Sequence, residues 1–303
     1  MPETRVVEFP CEGTVLRGVL YRHDPAPGPI LLMAHGFSAT ITGMVAERYA
    51  EVIHAAGIDV LLFDHQGFGL SGGEPRQVIN RWLQGRGYRA ALDFAAGLPG
   101  IDATRMALWG DSASSVAVIS LAAFDGRVAA FVVQVPACGS EPPPPDPDGS
   151  LYRSLRESFL TADIVSNPKA TRGPMPVVSD DQAANPSLLK PITAYRWFIE
   201  YGSRPGTGWL NHATSVVPDT AVPLHPGLCA PHFNGASLWV IARDDEMPGS
   251  EPEVSHLCYE AAGGDKELLD IEGGHFGLLY DRSPLFDTVS AAQADFLVRR
   301  LGN

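Results

Sequence analysis

A short apolar strand running directly into Gly110-Asp111-Ser112-Ala113-Ser114 leaves this chain few folds to choose from. The five residues nearly match Gly-x-Ser-x-Gly, the strand-to-helix turn that lifts a serine hydroxyl above the edge of a parallel sheet. Small residues flank such a serine because strand, turn and helix approach closely, and a large side chain would block the turn. The second glycine of the pattern is replaced by Ser114, a sterically mild change. A turn of this kind needs a parallel sheet around it and a helix behind it.

The hydrophobic pattern supplies both. Alternating runs at residues 5–9 and 14–21, split by Cys11-Glu12-Gly13, predict an N-terminal β-hairpin. Strand and helix patterns then alternate. Residues 30–34 are continuously apolar, as in a strand buried on both faces. Helical spacing covers 44–56 and ends at Gly57; a strand follows at 59–63 and a helix at 88–96. The strand at 106–109 enters the elbow, and another lies at 128–133. Strands at 237–241 and 266–271 and a helix at 288–301 close the chain. The order implies a mainly parallel sheet with helices on both faces.

Between these halves the rhythm breaks. Pro142 to Pro145 and Asp146-Pro147-Asp148-Gly149 can form neither a packed helix nor a central strand. Short helical patterns mixed with prolines fill the next 80 or so residues. The expected organisation is an α/β core from 1–136 and 234–303, with 137–233 inserted as a cap over the sheet. Phe159, Tyr195, Trp197, Phe198 and Trp209 argue for an ordered insertion. These aromatics either form its core or line an apolar acyl pocket. In the second case an apolar or aromatic acyl group fits better than a charged one.

A serine hydroxyl is a weak nucleophile until a base takes its proton and a third group orients that base. The strand at 237–241 leads into Arg243-Asp244-Asp245-Glu246, which places a carboxylate at the C-terminal sheet edge where α/β active sites collect. Asp245 is the preferred acid and Asp244 the alternative, because loop length alone does not fix which side chain turns inward. The last strand is followed by Glu272-Gly273-Gly274-His275-Phe276-Gly277, whose glycines let the loop turn back across that edge. Of nine histidines, His275 alone has this setting. His65, on the loop after 59–63, is a weaker candidate for substrate contact. Acyl transfer also needs backbone N–H donors aimed at the oxyanion. Ala113, after the serine, offers one; Phe37, in the His35-Gly36-Phe37-Ser38 loop, offers the other.

Together His35-Gly36-Phe37, 64–69, Gly110 to Ser114, the Asp245 loop and Gly274-His275 resemble the α/β-hydrolase superfamily. The run from Asp64 to Gln77 is similar to a branch holding peptidase S15-like and dienelactone-hydrolase-related proteins, including hydrolases of polyketide pathways. The likeness covers about 28–136 and 236–301. It implies an α/β-hydrolase fold with Ser112 as nucleophile, Asp245 as orienting acid, His275 as base, and Phe37 and Ala113 as oxyanion donors. Phe37 stands where some S15-like peptidases place a tyrosine, which points away from a peptidase.

The expected function is therefore hydrolysis of a carboxylic ester or thioester through an acyl-enzyme. An acyltransferase using the same triad is the alternative, and a non-catalytic small-ligand receptor is a third reading. A net charge of −13 argues against a nucleic-acid partner, and no apolar run approaches a membrane span. The N-terminus lacks the pattern of a signal peptide. The four cysteines match no zinc or redox spacing and are expected to be free thiols, which with the N-terminus suits a cytoplasmic enzyme. No metal or cofactor is expected; the partner is a small-molecule acyl substrate, and a homodimer is allowed.

Overall fold

The computed structural model describes residues 3–23 and 27–302. The first elements are β1 (Glu3–Cys11) and β2 (Thr14–Arg22), which pair antiparallel as the expected hairpin. Next come β3 (Gly28–Ala34), α1 (Val45–Ala55) and β4 (Asp59–Phe63). They are followed by β5 (Val78–Ile79), α2 (Arg81–Ala96), β6 (Ile101–Asp111), α3 (Ser114–Phe124) and β7 (Val128–Gln134). Residues 137–233 carry α4 (Ser150–Thr161), β8 (Pro168–Met175), α5 (Ile192–Gly202), β9 (Ala213–Pro218) and α6 (Pro226–Cys229). The chain ends with β10 (Ala236–Ala242), α7 (Pro252–Ala261), β11 (Asp265–Ile271) and α8 (Pro284–Leu301).

Eight strands form one sheet in the order β1-β2-β4-β3-β6-β7-β10-β11. The hairpin joins β4 antiparallel, and every pairing from β4 to β11 is parallel. The continuous apolar runs have the predicted cause: all five residues of β4 are buried, between helices on both faces. On one face Tyr49 and Ile53 of α1 pack with Phe286 and Phe296 of α8. On the other, Tyr88 and Leu92 of α2 pack with Val118 of α3 and Val254 of α7. Two buried polar links lock the middle of the sheet. The Tyr88 hydroxyl donates to the Trp109 carbonyl at 2.7 Å and accepts from the Ala34 N–H at 3.0 Å, joining β6 to β3. Trp109 Nε1 donates to Gln293 of α8 at 2.8 Å, and Gln293 donates to Gln134 of β7 at 2.7 Å.

Several boundaries differ from the sequence reading. Helix α2 begins at Arg81 rather than 88, because the Asn80 side chain accepts from the Trp82 and Leu83 N–H groups as an N-cap. Gly85 and Gly87 obscured this first turn. Gly85 is needed there, since a Cβ would lie 2.7 Å from the Phe159 ring. Helix α8 starts at Pro284, capped by Ser283, rather than at 288. Strand β6 spans Ile101–Asp111 rather than 106–109 alone.

The pattern of residues 137–233 predicts short helical fragments, but the segment also contains two strands. They form a second sheet in the order β5-β9-β8, and its edge strand β5 comes from the loop before α2. Helix α4 packs on the flank of the main sheet: Phe159 lies beside Trp82 and Phe124, and Tyr152 donates to the Ala123 carbonyl at 2.8 Å. All four cysteines are free and buried. Among the described residues no helix is long and apolar enough to cross a membrane.

Asn80 both caps α2 and donates to the Ile164 carbonyl at 2.8 Å. Asn80→Ala is expected to lower stability by about 1–2 kcal/mol in urea unfolding. An unchanged midpoint and slope would show that this joint between α2 and the inserted segment contributes nothing.

Candidate active site

Strand β6 delivers Ser112 to the C-terminal edge of the sheet in a left-handed backbone conformation, with φ of 49°. A side chain at positive φ is strained and persists only where its surroundings hold it. Here the Ser112 N–H donates to the Gln134 carbonyl at 2.9 Å, and the Ser112 carbonyl accepts from the Ala137 N–H at 3.1 Å. Gly110 leaves room for the turn, since a Cβ there would come within 2.9 Å of the Ser114 backbone. Ser114 does more than tolerate the missing glycine. Its hydroxyl accepts from the Asp111 N–H and donates to the Asp111 carbonyl, each at 2.9 Å, pinning the turn from inside.

Two further strand ends bring the partners together. His275, on the loop after β11, places Nε2 2.9 Å from Ser112 Oγ. Its Nδ1 lies 2.8 Å from one carboxylate oxygen of Asp245 and 3.0 Å from the other. Both side chains are 2% exposed, so the pair is shielded from water and counterions. The alternative acid, Asp244, is exposed and uses its backbone N–H to bind the Gly273 carbonyl. Glu246, which the sequence reading did not single out, holds the histidine loop. Its carboxylate accepts from the His275 N–H at 2.9 Å and from the Thr193 hydroxyl. Burial raises its pKa, but these hydrogen bonds prevail and hold it below the ordinary value. Gly274 is required beside it, because a Cβ would overlap the Glu246 carboxylate.

Phe37 and Ala113 both border the cavity in front of Ser112. Neither backbone N–H has an acceptor among the described residues. The loop carrying Phe37 is braced from beneath. His35 is buried against Asp64 at 3.4 Å and against the His65 ring, while Asp64 accepts from the Ile41 and Leu70 N–H groups. Burial lowers the pKa of both histidines. His65 therefore does not reach substrate: it is 1% exposed, packs among Phe63, Tyr88 and His35, and borders no part of the cavity. Asp111 sits between the two loops. Burial raises its pKa to about 6, against the opposing pull of His275, the Ser114 hydroxyl and the Gly36 backbone.

The cavity has a volume of about 230 Å³. Of the five aromatics considered from sequence, Trp197 and Phe198 of α5 line it; Phe159, Tyr195 and Trp209 do not. Leu188, Leu189 and Phe276 extend the apolar wall, whereas Arg81 and Arg172 add a cationic side that hydrophobic patterning did not reveal. Away from the site, His23, His54 and Asp59 bring ligand-type atoms within 4.8 Å of one another, but Asp59 is already paired with Arg22 at 2.8 Å.

No protein-family model matches the chain. Individual proteins do. It is 39% identical to the thiohydrolase aneE of Aspergillus aculeatus, over 96% of this chain and 92% of that protein. It is 30% identical to the polyketide transferase claH of Penicillium crustosum, over 100% of this chain and 99% of that one. Among solved structures, the α/β hydrolase GrgF from a Penicillium species superposes with a TM-score of 0.73 at 25% identity, covering 99% of this chain and 100% of that chain. Full-length likeness to these proteins, on a mainly parallel sheet with serine, acid and histidine at the ends of β6, β10 and β11, makes this chain a member of the α/β-hydrolase superfamily, an enzyme of its hydrolase and acyltransferase kind.

Proposed function

We propose that this enzyme cleaves a carboxylic ester or thioester through an acyl-enzyme on Ser112. The observation that carries the reading is the unbroken chain from Ser112 Oγ to His275 Nε2 at 2.9 Å, and from His275 Nδ1 to Asp245 at 2.8 Å. Asp245 holds the imidazole with its proton on Nδ1, so Nε2 is free to accept the serine proton as Oγ attacks the acyl carbon. The uncommitted N–H groups of Phe37 and Ala113 receive the oxyanion. His275 returns the proton to the departing thiolate or alkoxide, and the acyl-enzyme is then opened by a second nucleophile activated in the same way. The likeness to a thiohydrolase at 39% identity favours a thioester.

Whether that second nucleophile is water or an alcohol decides between hydrolase and acyltransferase, and the polyketide transferase relative keeps the second reading in play. We read 137–233 as the segment that selects the acyl group, because Arg172, Leu188, Leu189, Trp197, Phe198 and Ser215 all reach the cavity from it. A volume of about 230 Å³ lies below the usual range for drug-sized ligands and suits a short acyl chain.

Ser112→Ala is expected to fold normally, lose fluorophosphonate labelling, and lose roughly 10³-fold or more in turnover of an acyl thioester. Retained labelling would move the nucleophile elsewhere. Product analysis with an added alcohol separates the two readings: free acid alone means hydrolysis, and ester formation in proportion to the alcohol means transfer. A third expectation concerns Asp111. Its folded pKa of about 6 exceeds the ordinary 3.8, so the folded chain holds this proton more tightly than the unfolded one. The Asp111 contribution to stability is therefore full below about pH 4 and declines as pH rises to about 6. The Tm of Asp111→Asn relative to wild type should rise between pH 4 and pH 7, and a pH-independent difference would refute the shifted ionisation.

A further inference from the structure

The cavity beside Ser112 is lined by two arginines, Arg81 and Arg172, that the acyl-transfer chemistry does not use. They come from opposite ends of the chain's second sheet. In that sheet Ser215 of β9 is the register partner of Ile79 on one side and of Arg172 on the other. Arg81 follows Ile79 by two residues, as the first residue of α2, with its backbone fixed by the Asn80 cap. One wall of the cavity thus presents cation, hydroxyl and cation in the order of the strands, and Ser215 borders the cavity with them.

Neither arginine forms an ion pair with a carboxylate among the described residues. Arg172 spends one guanidinium nitrogen on the Ser187 carbonyl at 3.0 Å, which orients the group without neutralising it. Arg81 is half-buried, and burial alone lowers its pKa. A guanidinium stays charged under these conditions, so a partly desolvated one without a counter-charge is unfavourable until an anion arrives. Asp111 is the one carboxylate among the described residues that borders the cavity, and it is engaged with Ser114 and the Gly36 backbone. In a chain of net charge −13, cations concentrated at the site mark a local reversal of sign. Guanidinium groups match carboxylates in geometry as well as charge.

We propose that Arg81 and Arg172 form an anion subsite that binds a carboxylate on the acyl chain, so that the substrate is the ester or thioester of a short dicarboxylic acid. The inference rests on the acyl-enzyme reading for the placement of the reacting carbonyl. It replaces the sequence-based preference for an uncharged acyl group: the methylene segment lies along Trp197 and Phe198, while the far end meets the arginines.

Two measurements test it separately from the chemistry. Monomethyl adipate and methyl hexanoate are titrated calorimetrically into Ser112→Ala, where turnover is slowed roughly 10³-fold or more. The adipate should bind at least tenfold tighter, and this preference should fall roughly 10- to 100-fold when Arg81→Gln or Arg172→Gln is added, with Arg81→Lys retaining part of it. Equal binding of the two esters, or a preference insensitive to both substitutions, overturns the subsite even if the enzyme is an active hydrolase. In the second measurement wild type is given N-acetylcysteamine thioesters of adipate and hexanoate, and coenzyme A hexanoate. Selectivity for adipate that collapses in Arg81→Gln, mainly through KM, supports the acyl-side carboxylate. Selectivity for the coenzyme A thioester that collapses instead would assign the arginines to phosphate on the leaving group and overturn the proposal. Absence of turnover with every thioester would count against the acyl-enzyme reading, while the calorimetric preference would still decide the subsite.

Discussion

The left-handed backbone at Ser112 is the constraint around which the rest of the site is organised. An L-residue with φ of 49° is unfavourable, and its surroundings must supply what its own conformation does not. They do so from three directions. The end of β7 binds the Ser112 N–H and the loop after it binds the carbonyl, Gly110 yields space beneath the turn, and the Ser114 hydroxyl bonds both backbone groups of Asp111. A serine where glycine is usual therefore adds two hydrogen bonds to the turn it was expected merely to fit.

Around this strained point the supports are arranged by strand end. The loop after β3 carries Phe37, that after β10 carries Asp245, and that after β11 carries His275. Polar side chains anchor all three. Asp64, His35 and His65 brace the first loop. Glu246 reaches from the acid loop to the histidine backbone and ties the other two together. Asp64, His35 and His65 are held out of water, which limits the alternative positions open to the first loop.

Much of this geometry was legible in the sequence, for a physical reason. Strand runs buried on both faces are apolar without interruption; the serine and the acid each follow such a run, and the glycine-flanked histidine follows the last strand. What escaped were features made by distant segments. Nothing local in Val78-Ile79 predicts a strand, because its partner β9 lies more than 130 residues later. Strand β8 is almost wholly exposed, so it lacks hydrophobic alternation. The first turn of α2 was hidden by Gly85, whose bareness serves the Phe159 ring rather than the helix. Asp244 and Asp245 were separable only once the loop's own backbone bond to Gly273 was visible.

The second sheet has an architectural consequence for how such an enzyme can diversify. Its two longer strands lie within 137–233, but its short edge strand precedes α2, nearly a hundred residues earlier in the chain. One side of the cavity is thus a seam between stretches of chain far apart in sequence. Replacing 137–233 by another sequence would exchange Arg172, Ser215 and the aromatic wall together, yet would leave Arg81 in position at the start of α2. Half of the cationic wall thus stays with the helix that packs on the catalytic sheet, and new specificities engineered on this scaffold would have to accommodate that charge or remove it.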